Sequence, residues 1–173
     1  MATLVLDPEP LELRALRERR RRLGQDRFDE VWGGVYHMKP APGYAHAVTE
    51  PQVLALLHAA GRAAGLTPIG QFNLGGREDY RVPDGGLLCS AASGAPVYLS
   101  TAALVVEIVS PGDESFDKLP FYAEHGVDEA LLVDPQRREV RWLALREGTY
   151  AAVERSALID LGREQLEAQI RWP

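Results

Sequence analysis

Apolar positions recur along this chain with two rhythms, one helical and one extended, and the change of rhythm marks out the elements. Over residues 9–23, Leu13, Leu16 and Leu23 recur at helical spacing among arginines, which predicts an amphipathic helix. Phe28, Val31 and Trp32 lead into Gly33-Gly34, and Val35-Tyr36 follow. A Gly-Gly pair supplies the positive φ angles of a tight two-residue turn, so 27–38 reads as a β-hairpin. Pro40 and Pro42 break the chain after it. From about residue 45 to 64, Val53, Leu56, Leu57 and Ala60 form an apolar helical stripe that Gly65 terminates.

Shorter runs follow. Residues 67–72 and 81–88 are expected strands, and Leu-Val-Val-Glu-Ile-Val at 104–109 is the strongest one. A nearly continuous β-branched run of this kind suits a central strand covered on both faces. Pro111-Gly112 end it, Asp113 is placed to cap a helix over 114–125, and Gly126 closes that helix. Residues 130–133 form the next strand, stopped by Asp134-Pro135, and 140–145 with 150–153 read as a hairpin around Gly148. Residues 158–173 are left as a terminal packing segment. The succession predicts an α/β (α+β) fold, a sheet with flanking helices. With no repeat, linker or low-complexity stretch, 1–173 reads as one domain, with 1–26 as an N-terminal helical extension.

Composition narrows the class. The chain has 173 residues, 46% hydrophobic and 25% charged, as an ordinary folded domain does. It has no signal-like start and no run near the roughly 18 apolar residues of a membrane span. Cys89 is the only cysteine, so an internal disulfide and a cysteine-based zinc site are both excluded. A reducing cytoplasm is the expected location. The net charge is −6, and seven of the 19 basic residues fall between Arg14 and Arg27. Arg19–Arg22 could reach phosphates but reads first as a solvated helix face. This distribution argues against tight, non-specific binding to DNA, while leaving acidic groups for a metal ion.

Three residues carry candidate chemistry. Glu107 is the one carboxylate inside the apolar run, where an ionised group costs several kcal/mol unless paired or metal-bound. Asp84, in Val-Pro-Asp-Gly-Gly, sits where a strand begins or bends, and by residue type it serves a turn as readily as a site. Lys118 follows the Glu107 strand closely enough to reach back to its C-terminal end. Seventeen of the basic residues are Arg and only Lys39 and Lys118 are Lys, so a retained ammonium draws notice. Two carboxylates and an ammonium suit metal-assisted phosphodiester hydrolysis: the carboxylates hold a hard divalent ion and the ammonium stabilises developing charge. His46 and Glu50, four apart, share a helix face. His37, His58 and His125 have no carboxylate at ligand spacing and read as structural. Asp134 reads as a turn residue, and Lys39, beside Pro40, as peripheral.

Pro83-Asp84, the run Val105–Pro111, Lys118, Tyr122-Ala123, Gly126-Val127 and Leu132–Pro135, in that order, resemble the Uma-two family of putative restriction endonucleases, within the PD-(D/E)XK nuclease superfamily. Glu30, Gly34 and His46 also fall where that family carries Glu, Gly and His. The resemblance covers about residues 27–145. It implies a restriction-endonuclease-like mixed sheet, Asp84 and Glu107 as metal ligands with the backbone carbonyl of Ile108, Lys118 as catalytic lysine, and Glu30 and His46 lining the site. Val109 stands where the superfamily pattern carries its lysine, so the resemblance implies that Lys118 has migrated to the helix. The expected function is a Mg²⁺- or Mn²⁺-dependent nuclease acting on nucleic acid, DNA foremost, as a homodimer. A non-catalytic binding or assembly domain that keeps the nuclease fold is the alternative, and a metal-dependent hydrolase of another substrate is the third.

Overall fold

The computed structural model describes residues 11–90, 97–112 and 114–173, together with the backbone of 4–6. Asp113, with its expected capping role, lies outside the described residues, as do residues 9 and 10 of the first expected helix.

Two mixed six-stranded sheets carry the fold. The first runs β1 (Leu4–Leu6), β3 (Val35–Met38), β2 (Glu30–Trp32), β6 (Asp79–Arg81), β5 (Asn73–Gly76), β8 (Tyr98–Leu99). The second runs β12 (Thr149–Ala152), β11 (Glu139–Arg146), β10 (Glu129–Asp134), β9 (Leu104–Ile108), β7 (Gly85–Leu88), β4 (Thr67–Ile69). The helices are α1 (Leu11–Arg22), α2 (Tyr44–Ala63), α3 (Leu119–Glu124) and α4 (Arg163–Gln169). The expected hairpin forms, with Gly33 and Gly34 at φ +53° and +86° and Trp32 opposite Val35. Both angles lie in the left-handed region that glycine adopts without steric cost.

Strand β9 is central, as its apolar run requires: all five residues are buried. It lies parallel to β10, with Glu107 opposite Leu132, and antiparallel to β7, with Gly85 opposite Val106. Side chains alternate across a strand. Leu104, Val106 and Ile108 join Val53 and Leu57 of α2 and Leu166 of α4 in one core. Val105 enters a second core with Phe121 and Tyr122 of α3 and Leu132 of β10. The alternation therefore turns Glu107 towards α3. The terminal segment docks as α4, through Leu166 and Ile170.

The expected strand 81–88 is divided. Arg81 ends β6 in the first sheet and Gly85 begins β7 in the second. Between them Pro83 has no N–H to give a ladder, and the chain crosses from one sheet to the other at residues 82–84. A Cβ on Gly86 would run into the Leu104 carbonyl oxygen, and one on Gly85 would press on Leu54 of α2. These two glycines set how closely α2 and β9 stand to Asp84.

The expected helix over 114–125 is also modified. Phe116–Lys118 form a 3-10 turn, and the α-helical stretch begins at Leu119. The Leu119 N–H bonds to the Phe116 carbonyl three residues back, and Pro120 has no N–H to continue the ladder. The first expected helix forms as α1 but buries none of its residues. In the hairpin, Tyr36 is buried and Trp32 is in ring contact with His37 and Arg81. Among the described residues no helix is long and apolar enough to cross a membrane.

Candidate functional site

The crossing at residues 82–84 joins the carboxylates of both sheets. The Val82 N–H donates to Glu30 Oε1 of β2 at 2.9 Å. Two residues on, the Asp84 N–H donates to the Val106 carbonyl at 2.9 Å, and Asp84 Oδ2 accepts the Ile108 N–H at 2.7 Å. Asp84 thus crosses the start of the β7–β9 pair with both backbone and side chain, beside Glu107. A cavity of about 320 Å³ opens there, lined by Glu30, Lys39, His46, Asp84, Glu107 and Lys118.

Lys118 bridges the sheets. Its Nζ lies 2.9 Å from both oxygens of Glu107 and 2.9 Å from Glu30 Oε1. The 3-10 turn brings it over the α3 face of β9, the face to which alternation turns Glu107. Tyr122, four residues on, donates its hydroxyl to Glu107 Oε1. Glu30 also accepts from Trp32 Nε1 at 2.7 Å, and Lys39 Nζ stands 3.8 Å from its second oxygen.

Burial pushes the Glu107 carboxyl up to about 7, since Lys118 compensates only in part while Asp84 and Glu30 add to the rise. Burial opposes charge on Lys118 too, but Glu107 and Glu30 win and hold its ammonium protonated. Glu30 is held below the ordinary carboxylate range in spite of burial, by Lys118, Lys39 and the Val82 N–H. The Tyr122 hydroxyl is pushed well above its usual range by burial and by Glu107.

On the α2 side, His46 Nε2 lies 3.3 Å from Asp84 Oδ1 and 3.4 Å from Glu50 Oε2, and Nδ1 lies 3.3 Å from Ser110 Oγ. Burial works against a charged imidazole there, yet hydrogen bonds to Asp84 and Glu50 carry His46 up to about 10. One donor atom from each of His46, Glu50 and Asp84 falls within 4.8 Å of the others. Four carboxylates, Glu30, Glu50, Asp84 and Glu107, therefore face Lys118 and His46. Lys39 is divided between Glu30 and Glu114, the latter at 3.5 Å. This surplus of negative charge fits a divalent cation.

Asp84, Glu107, Lys118, Glu30, His46 and Ile108, all singled out in the sequence, come together at this cavity. Two readings need correction. His37 does have a carboxylate partner, Glu114, 3.2 Å from its Nδ1. Lys39 is not peripheral, because it lines the cavity. His58 and His125 bond to backbone carbonyls of Ile69 and Phe121, as structural residues do. Asp134 accepts the N–H groups of Gln136 and Arg137, as a turn residue does. The role of Tyr122 was missed, although its spacing of four from Lys118 was a readable signal. Glu114 gave no such signal.

A solved structure described as a putative nuclease belonging to DUF820, from Anabaena variabilis ATCC 29413, shares this fold with a TM-score of 0.67. The alignment covers 82% of this chain and 90% of that one at 15% identity. No curated protein matches the chain. The family model Uma2, described as putative restriction endonuclease, matches residues 14–169. The chain belongs to the Uma2 family.

Proposed function

We propose that this protein is a divalent-metal-dependent nuclease that hydrolyses phosphodiester bonds of nucleic acid, DNA foremost, with Mg²⁺ or Mn²⁺ as its ion. The observation that carries the reading is the convergence of Asp84, Glu107 and Lys118 on one cavity in a chain of the Uma2 family. The surplus of carboxylate charge supports an ion held by Asp84 and Glu107, with the Ile108 carbonyl as a further ligand. When bound, the ion would lower the pKa of a water and neutralise charge on the phosphoryl oxygens. Lys118 orients the Glu107 carboxylate through two hydrogen bonds and keeps a permanent positive charge at the cavity wall, where negative charge grows on the phosphoryl group. Glu30 fixes that ammonium from the other sheet, 2.9 Å away.

A second reading, a binding or assembly domain, is favoured by one feature. The three N–H donors of Lys118 already have three carboxylate oxygens at 2.9 Å, so the network stands closed as an ion pair. Incubation of single-stranded and duplex DNA and RNA with Mg²⁺ or Mn²⁺ separates the two. Metal-dependent cleavage abolished by Asp84→Ala and by Glu107→Ala supports the nuclease. No cleavage of any substrate gives the lead to the binding domain. A homodimer belongs to the same reading and is supported by the exposed Leu11, Leu16 and Leu23 of the N-terminal helical region; sedimentation at micromolar concentration tests it.

A further inference from the structure

We propose that α2 supplies two further ligands to the ion carried by Asp84, His46 through Nε2 and Glu50 through its carboxylate, making a mixed nitrogen and oxygen centre that favours a first-row divalent ion over Mg²⁺. The inference rests on the metal-dependent nuclease reading and concerns which groups hold its ion and which ion it takes.

Two of the three donor separations are those of a ligand set, and all three donors lie within 4.8 Å of one another. An ion about 2.1 Å from each donor has neighbouring donors about 3.0–3.4 Å apart, in octahedral or tetrahedral arrangement. His46 Nε2 stands 3.3 Å from Asp84 Oδ1 and 3.4 Å from Glu50 Oε2. The imidazole is fixed from its other side, where Nδ1 meets Ser110 Oγ at 3.3 Å. A metal-ligating histidine needs such a partner for its second nitrogen, to set the ring's orientation and tautomer. One turn of α2 then aims the Glu50 carboxylate at the same point.

Competition among the carboxylates points the same way. Glu107 already accepts two bonds from Lys118 and one from Tyr122. Asp84 Oδ2 accepts the Ile108 N–H, which leaves Oδ1 turned to His46. Asp84 is therefore the shared ligand, with Glu107 on its β9 side and the α2 pair on the other. Mg²⁺ prefers oxygen ligands and retains water, whereas imidazole strengthens binding of first-row transition ions.

The same contacts would also be made by an imidazolium bridging two carboxylates, with the ion on Asp84 and Glu107 alone, and the experiment separates these arrangements. Metal-free full-length protein is titrated with Mn²⁺ and with Mg²⁺, and the Mn²⁺ form is examined by pulsed electron paramagnetic resonance for ¹⁴N coupling. His46→Ala, His46→Gln and Glu50→Ala are treated alike, with circular dichroism reporting the fold. The proposal expects ¹⁴N coupling in the parent protein and its loss in both His46 variants. It expects Mn²⁺ affinity to fall about 10- to 100-fold in all three variants, and Mg²⁺ affinity to fall less. Mn²⁺ bound without ¹⁴N coupling, at unchanged affinity in folded variants, overturns the proposal and leaves the nuclease reading in place. Neither ion bound at millimolar concentration overturns both.

Discussion

Lys118 donates to both oxygens of Glu107 at 2.9 Å, although eleven residues and a change of element separate them. The contact is made by the 3-10 turn at Phe116–Lys118, which stops the chain rising away from β9 before α3 begins. In the nuclease reading this ammonium holds the liganding carboxylate and supplies charge, without itself touching the ion. Lys118→Ala should leave divalent-ion affinity within about threefold of the parent and lower cleavage by about 10²-fold or more. Lys118→Arg should recover little, because a planar guanidinium does not fit between Glu107 and Glu30 as a compact ammonium does. Ion affinity and single-turnover rate in one buffer check both statements. Undiminished cleavage by Lys118→Ala would remove it from the chemistry.

The raised Glu107 carboxyl gives a signed dependence on pH. Its ordinary value is 4.5 and in the folded chain it lies at about 7. Between those values the folded chain keeps a proton that the unfolded chain has lost. This group's contribution to stability therefore declines as pH rises through that window and is lowest above 7. In the nuclease reading a bound divalent ion would relieve the cost by neutralising the cluster. Saturating Mg²⁺ should therefore raise Tm more at pH 8 than at pH 5, by about 4 °C or more. Thermal melts with and without ion at the two pH values test this, and an equal shift at both would mean that Glu107 does not feel the ion.

Lys39 reverses its expected standing. Its Nζ lies 3.5 Å from Glu114 and 3.8 Å from Glu30, at the cavity wall. Both separations are long for ion pairs and the Lys39 head is shared between two carboxylates, so each contributes little to stability, on the order of 1 kcal/mol. In the nuclease reading, a cationic side chain at the mouth of this cavity should matter more for substrate than for folding. Lys39→Ala should change Tm by less than about 3 °C and weaken nucleic-acid binding several-fold, most at low salt. Binding that is unchanged at all salt concentrations would return Lys39 to the periphery.

What could be read from the sequence was local. The Gly33-Gly34 turn, the β9 run with its single carboxylate, and the His46–Glu50 spacing each follow from a few adjacent residues. What escaped was set by distant contact. The β5–β6 hairpin was not foreseen, because Gly75-Gly76 and the charged Arg77–Asp79 obscure the alternation of a strand. Two sheets rather than one could not be inferred, since the decisive event is the crossing at 82–84, where Pro83 interrupts a pattern that reads as a single strand. The same crossing sets Asp84 beside the His46–Glu50 pair and ties Val82 to Glu30, so the contacts that join the named residues were hidden with it.

Glu129 shows why a buried carboxylate in a strand does not by itself define a site. It lies in β10, the neighbour of β9, and is 2% exposed where Glu107 is 4% exposed. Its partners are different in kind. Glu129 accepts from Trp142 Nε1, Ser156 Oγ and the Ala157 N–H, each at 2.7 Å. All three are neutral donors, and together they fasten the segment leading to α4 onto the second sheet. Removing the acceptor leaves the buried Trp142 and its neighbours unsatisfied, so Glu129→Ala should cost about 3–5 kcal/mol. Glu129→Gln keeps one acceptor oxygen and should cost less. Neither should move Mn²⁺ affinity by more than about twofold in protein that remains folded, because the Glu129 carboxylate is bonded to Trp142, Ser156 and Ala157 rather than to the cavity cluster. Glu107→Ala should instead weaken the ion strongly, about 10-fold or more, whatever it does to stability. Denaturant unfolding and ion titration of the three variants, done side by side, check the contrast. Equal loss of ion affinity in Glu129→Ala and Glu107→Ala would show that the ion responds to the packing of the second sheet rather than to the carboxylates of the cavity.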